Sequence, residues 1–100
     1  MDSQFGKKIR ELREEQKYYL RQVAPMLDMD TAQLSKIEKG LRHMKKEQIS
    51  KLANIYKINK TELETLWLSD QIVEVVKDSS IALQALSLAE TQIKVRKKIK

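Results

Sequence analysis

The chain of 100 residues has no cysteine, one histidine, one proline and two glycines. Without cysteine there is no disulfide, no thiolate nucleophile and no thiolate metal site, which suits a reducing compartment. His43 alone cannot supply a histidine cluster, and neither a Gly-rich phosphate loop nor a paired acid/base motif occurs. Catalysis is therefore rejected, and no cofactor or metal is expected. No apolar run approaches the roughly 20 residues of a membrane span. The N-terminal MDSQFGKKIR also lacks the apolar stretch of a signal peptide. Both absences give the expectation of a soluble, unexported, cytoplasmic protein. With so few glycines and prolines there is little turn chemistry, and Val and Ile do not alternate with polar residues. An all-α chain follows.

What is present is a small core and an uneven charge. Hydrophobic residues make up 41% of the chain, enough for one small domain with an appendage. The net charge of +6 divides into three parts. Residues 1–60 carry 14 Lys/Arg against 8 Asp/Glu, residues 61–93 carry one Lys against six acids, and the last seven residues, KVRKKIK, add five cations. A basic first half fits a phosphate-binding surface, and a solvated Lys/Glu surface would look the same from charge alone.

The stretch from Leu20 to Gly40, LRQVAPMLDMDTAQLSKIEKG, reads as two short helices around a tight turn. Ala24 is small where the helices would cross, Leu27 and Met29 bracket the turn, and Leu34 and Ile37 face the core. Asp30 and Gln33 have capping-box spacing, and Gly40 can end the second helix at positive φ. This layout is that of a helix-turn-helix, which an ordinary αα-hairpin can mimic. Pro25 falls inside the first of the two helices, where a proline tends to kink it.

The flanking segments supply further helices. Ser3 can cap one that runs to about Lys17 with Phe5, Ile9 and Leu12 on one stripe, and Glu11 and Glu14 on its charged side. Tyr18 and Tyr19 sit at the first joint, expected to pack there, although a hydroxyl could reach a phosphate. After Gly40 the basic LRHMKK leads into a helix over about Lys46–Tyr56, with Ile49, Leu52, Ala53 and Tyr56 apolar. Asn59 and Glu62 have capping-box spacing for a fifth helix, whose buried side begins with Leu63, Leu66 and Trp67.

Over roughly residues 3–68 the chain resembles the Cro/repressor (XRE) family of helix-turn-helix DNA-binding proteins. The matching residues are Gly6, Ile9, Arg10, Leu12 and Arg13, then Val23–Ala24, then LSKIEKG (34–40), then Ile49 and Leu52–Ala53. The resemblance implies a five-helix, lambda-repressor-like domain over residues 1–68 with a C-terminal helical extension over residues 69–100. It also makes Glu38 structural, tied to an arginine such as Arg13. Three positions depart from the family. Leu20 stands where a glutamine often holds a phosphate, so Arg21 or Gln22 would take that contact. Asp28 replaces the usual turn glycine, and Met44 replaces a proline.

On this reading Thr31, Ala32, Gln33, Ser35 and Lys36 read base edges from the major groove. Tyr19, Arg21, Gln22, Lys39, Arg42, His43, Lys45 and Lys46 contact the DNA backbone. In the last third, Leu68, Ile72, Val73, Val75 and Val76 are too many apolar residues for one stripe. Asp78–Ser80 reads as a break, and a sixth helix from Ile81 carries Ala82, Leu86, Ala89 and Ile93, with Leu83 and Leu88 alongside. Leu68, Ile72, Val76, Leu83, Leu86, Ala89 and Ile93 are expected to form a homodimer interface; a hairpin packed only on its own domain is the bland reading. Lys94–Lys100 is expected to be a frayed helix end or disordered. The function expected is a homodimeric, sequence-specific regulator of transcription, a repressor or a controller of the restriction–modification type. The alternative is an antitoxin-type module on the same fold, gripping a protein partner through its C-terminal helices.

Overall fold

The computed structural model describes residues 3–99. Six helices follow one another: α1 Gln4–Glu15, α2 Leu20–Met26, α3 Thr31–Glu38, α4 Lys46–Tyr56, α5 Lys60–Val76 and α6 Ala82–Ile99. No strand occurs among the described residues, and no helix there is long and apolar enough to cross a membrane. The all-α reading is confirmed, with α6 as the C-terminal extension.

The core is assembled from the expected stripes. Phe5, Ile9 and Leu12 of α1 meet Val23 and Ala24 of α2, Leu34 and Ile37 of α3, Ile49, Leu52, Ala53 and Tyr56 of α4, and Leu63 of α5. Leu27, Met29 and Met44 fill it from the connections. Helix α1 lies against both α3 and α5, α2 packs on α3, and α4 packs on α5. The approach of α1 to α3 is close enough to demand glycine. A Cβ on Gly6 would stand 2.5 Å from the carbonyl oxygen of Glu38 and 2.7 Å from that of Ile37.

Scarcity of glycine shows in how the helices end. Helix α1 stops at Glu15, two residues short of expectation, because Lys17 turns left-handed with φ 61°. The amides of Lys17 and Tyr18 then donate back to the carbonyls of Glu14 and Arg13. Asp28 (φ 55°) closes α2 in the same way, its amide donating to Pro25 and that of Met29 to Ala24. Gly40 (φ 78°) closes α3, with bonds from its own amide to Ile37 and from Leu41 to Lys36. These are Schellman closures, in which a left-handed residue lets two amides donate to orphan carbonyls of the last turn. Lys57 (φ 55°) ends α4. A side-chain-bearing residue in this region costs about 1 kcal/mol relative to glycine.

The N-termini are capped in two different ways. Oxygens of Ser3, Asp30 and Asn59 accept from the amides of Gly6, Gln33 and Glu62. The return bonds expected of Gln33 and Glu62 are not made. Instead Gln22 and Gln48 accept from the amides of Tyr19 and Lys45 at the heads of α2 and α4. Pro25 lies one residue before the end of α2, so its missing N–H forfeits a bond where the helix is already closing.

The C-terminal tail differs from expectation. Lys94 to Ile99 continues α6 as helix, while Lys100 lies outside the described residues. Lys94 reaches Glu90 one turn earlier at 4.0 Å. Arg96, Lys97 and Lys98 occupy the last turn, where cations complement the helix macrodipole.

Candidate nucleic-acid interface

Helix α3 is held by its inner face and both its ends. Leu34 and Ile37 are fully buried, the Asp30 carboxylate accepts from the Gln33 amide at 2.7 Å, and Gly40 closes the far end. Beyond the last apolar contact a buried ion pair fixes the C-terminal residue. Arg13 Nε donates to Glu38 Oε2 at 2.8 Å and Nη2 donates to Oε1 at 3.1 Å. A third donor of the same guanidinium, Nη1, reaches the Tyr18 carbonyl at 3.0 Å. The hydrogen bonds to Glu38 raise the Arg13 pKa against the opposing effect of burial. The structural role implied for Glu38 is what the geometry shows.

With that face fixed, Thr31, Ala32 and Lys36 are exposed and Gln33 and Ser35 half-buried at its margin. The residues expected to touch the DNA backbone are all exposed: Tyr19, Arg21 and Gln22 at the head of α2, and Lys39, Arg42, His43, Lys45 and Lys46 after α3. Tyr19 does not pack into the joint as expected. It is 59% exposed, and the Arg21 guanidinium sits 4.5 Å from the ring centroid. Tyr18 does pack, with its ring 6.3 Å from that of Tyr56.

Some of the cations are engaged in ion pairs. The ion pairs among the described residues use Lys8, Arg10, Arg13, Lys51, Lys60, Lys77 and Lys94. None of Lys36, Lys39, Arg42, Lys45 or Lys46 takes part. Lys7, Lys17, Arg21, Lys57, Arg96, Lys97 and Lys98 are likewise outside these pairs. What sets the α3 side apart is that five such cations cluster in and just after one helix, as a surface facing phosphates requires.

Three scaffold contacts escaped the sequence reading. The Trp67 indole N–H donates to the Met44 carbonyl at 2.7 Å, which pins the basic loop between α3 and α4 onto α5. Gln48 Nε2 donates to the Leu27 carbonyl at 3.1 Å and braces the turn between α2 and α3. Asp70 accepts from the Ser3 hydroxyl and from the amides of Gln4 and Phe5, at 2.6, 3.1 and 3.0 Å. A single signal was available for Met44, an apolar residue alone in a basic run. Asp70 shared the core side of α5 with Leu63 and Trp67, but nothing in the spacing named its partner. Because of Asp70, the part of α5 tied to α1 reaches past residue 68, and the helix crosses that position unbroken.

The expected interface residues Leu68, Ile72, Leu83, Ala89 and Ile93 are exposed, while Val76 and Leu86 are half-buried. They line α5 and α6, apart from the α3 surface.

Two short helices around a left-handed turn, the second presenting a polar face beside uncompensated cations, define a helix-turn-helix domain. The helix-turn-helix family model matches residues 9–63, over half of the chain, and the chain belongs to that family, of the XRE type. It is a DNA-binding helix-turn-helix regulator. Comparison with curated proteins and with solved structures gave no match.

Proposed function

We propose that the chain acts as a homodimer on a two-fold operator, with α3 of each copy in the major groove. Thr31, Ala32, Gln33, Ser35 and Lys36 read bases; a glutamine can be bidentate to adenine, a lysine can donate to guanine, and the Ala or Thr methyl can meet thymine. Lys39, Arg42, His43, Lys45 and Lys46 hold phosphates on one flank of α3, and Tyr19, Arg21 and Gln22 on the other. Arg21, stacked on Tyr19, takes the contact for which the family often uses glutamine at the position of Leu20. The observation that carries this reading is the cluster of five cations, outside every ion pair among the described residues, in and just after an α3 held by its inner face and both its ends.

Selection of bound duplexes from a random pool, followed by a salt titration on the winning sequence, tests it. The expected site is a palindrome with half-sites about 34 Å apart. Its affinity should fall steeply with salt as counterions are displaced. A pool that enriches no sequence, or one asymmetric site, overturns the reading.

The exposed apolar residues of α5 and α6 favour a second reading, in which a different protein occupies these helices as in an antitoxin. A stable one-to-one complex between two different chains on these helices, replacing the homodimer, would decide for it.

A further inference from the structure

The peptide between Met44 and Lys45 is held at both its polar ends by side chains. Its carbonyl accepts from the Trp67 indole N–H at 2.7 Å, and its N–H donates to Gln48 Oε1 at 3.3 Å. Gln48 spends its other end on the Leu27 carbonyl, in the turn between α2 and α3. One peptide of the basic loop is thus tied to α5 directly and, through Gln48, to the turn that precedes α3.

Nothing comparable holds the rest of the loop. Among the described residues, the amides of Arg42, His43 and Met44 and the carbonyls of Leu41, Arg42 and His43 make no hydrogen bond. Packing leaves room as well, since Arg42, His43 and Met44 border a cavity of about 310 Å³ shared with Phe5 and Trp67. The Met44 side chain is buried, but a flexible thioether chain anchors a position without orienting the peptide it hangs from. Orientation comes from the two side-chain bonds.

We infer that Trp67 and Gln48 are positioning residues for DNA binding. By orienting the Met44–Lys45 peptide they hold Arg42 and Lys45 at a set place relative to α3, so that phosphate and base contacts are made together. This rests on the reading of the loop cations as phosphate contacts and adds what fixes their place. Without either bond the loop is correctly placed only part of the time, and the apparent affinity falls by that fraction.

Trp67 is the one tryptophan of the chain. Expressing the protein with benzothienylalanine, which has sulfur where indole has N–H, therefore deletes this donor alone and keeps the ring's shape. Affinity for the selected duplex is measured for the wild-type chain and for Arg42→Gln/Lys45→Gln, each with tryptophan and with the analogue. In the wild-type background the analogue should weaken binding about 3- to 10-fold, the worth of one hydrogen bond, and alike for every single-base variant of the duplex. In the background stripped of Arg42 and Lys45 it should change nothing, because residues that act through one another are not additive. Gln48→Met, which removes both of that side chain's bonds, should give the same pattern. Unchanged affinity in the wild-type background overturns the inference. So does an equal loss in both backgrounds, which is what a general loss of stability would produce. A stripped chain that binds as tightly as the wild type instead overturns the reading of the loop as a phosphate contact.

Discussion

Arg13 and Glu38 form a two-pronged ion pair that joins the last turn of α1 to the last residue of α3. Both are buried, and the guanidinium spends its remaining reach on the Tyr18 carbonyl. Removing one member leaves a charge without its partner in the interior. Glu38→Ala should therefore cost about 3–5 kcal/mol. A small domain has roughly 5–15 kcal/mol in all. The double variant Arg13→Met/Glu38→Leu carries no buried charge and should recover most of that loss. Urea unfolding of the three chains checks this; equal losses in the single and double variants would show that the packing around the pair, not the stranded charge, sets the cost.

The same junction makes a second prediction at Gly6. On an isolated helix, Gly→Ala would be favourable by about 1 kcal/mol. Here the new Cβ would meet the Glu38 carbonyl oxygen at 2.5 Å, and a backbone atom cannot swing aside. Gly6→Ala should thus destabilise by about 1–3 kcal/mol, the usual range for overpacking. Thermal unfolding of the variant gives the sign at once.

Asp70 tests how far the domain extends along α5. Its carboxylate takes three donors at the head of α1, from a position 65 or more residues away in sequence. Asp70→Ala should lower stability by about 1–2 kcal/mol through loss of this remote cap. Native-state hydrogen exchange should find the loss shared between the start of α1 and the middle of α5. Exchange that rises only in α5 would count against the cap.

Much of the scaffold is legible in the sequence, for identifiable reasons. Helix α4 is legible over Lys46–Tyr56 because Ile49, Leu52, Ala53 and Tyr56 keep a clean helical period. Helix α3, expected over residues 31–39 between a capping Asp30 and a closing Gly40, ends one residue earlier at Glu38. The pattern could not say that Lys17 and Lys57 adopt left-handed backbone, since lysine carries no such preference; tertiary packing imposes it. The reciprocal capping bonds were misassigned, because Gln22 and Gln33 have the same spacing to a cap and spacing alone cannot choose between them. Cations on the α3 side were legible as a cluster. That they stay unpaired while Arg13 and Lys51 are engaged required side-chain geometry. Helix α6 is less legible at its end, because a basic run reads as a tail whereas Lys94 to Ile99 continue the helix.

Tyr56 offers a test that needs no DNA. Its ring is buried, and its hydroxyl has no hydrogen-bond partner among the described residues. An orphaned buried hydroxyl costs about 1–3 kcal/mol, so Tyr56→Phe should be neutral or stabilising by about 1 kcal/mol. Burial, with the Glu38 carboxylate adding, pushes the Tyr56 pKa well above the ordinary value of 10. As pH rises through about 10 the unfolded chain then loses this proton while the folded chain keeps it. Native stability falls as a result, by about 1.4 kcal/mol per pH unit from this one group. Tyr56→Phe should remove that part of the slope, so the two chains diverge in urea midpoint above pH 10 and run parallel below it. Parallel curves throughout would mean that the hydroxyl titrates alike in both states.

On the DNA side, position and chemistry separate two kinds of loss. Gln33 lies at the margin of the α3 face with its amide already satisfied by Asp30, which leaves its side chain for a base edge. Lys45, exposed and outside every ion pair among the described residues, sits at the cap of α4 beside the pinned loop. Gln33→Ala should therefore cost about 1–3 kcal/mol at one base position and relax specificity there. Lys45→Ala should weaken all sequences alike and lower the salt slope by about one. Competition binding against a panel of single-base operator variants, repeated at two salt concentrations, distinguishes them. A uniform loss from Gln33→Ala would move base reading off that residue and shift the register assigned along α3.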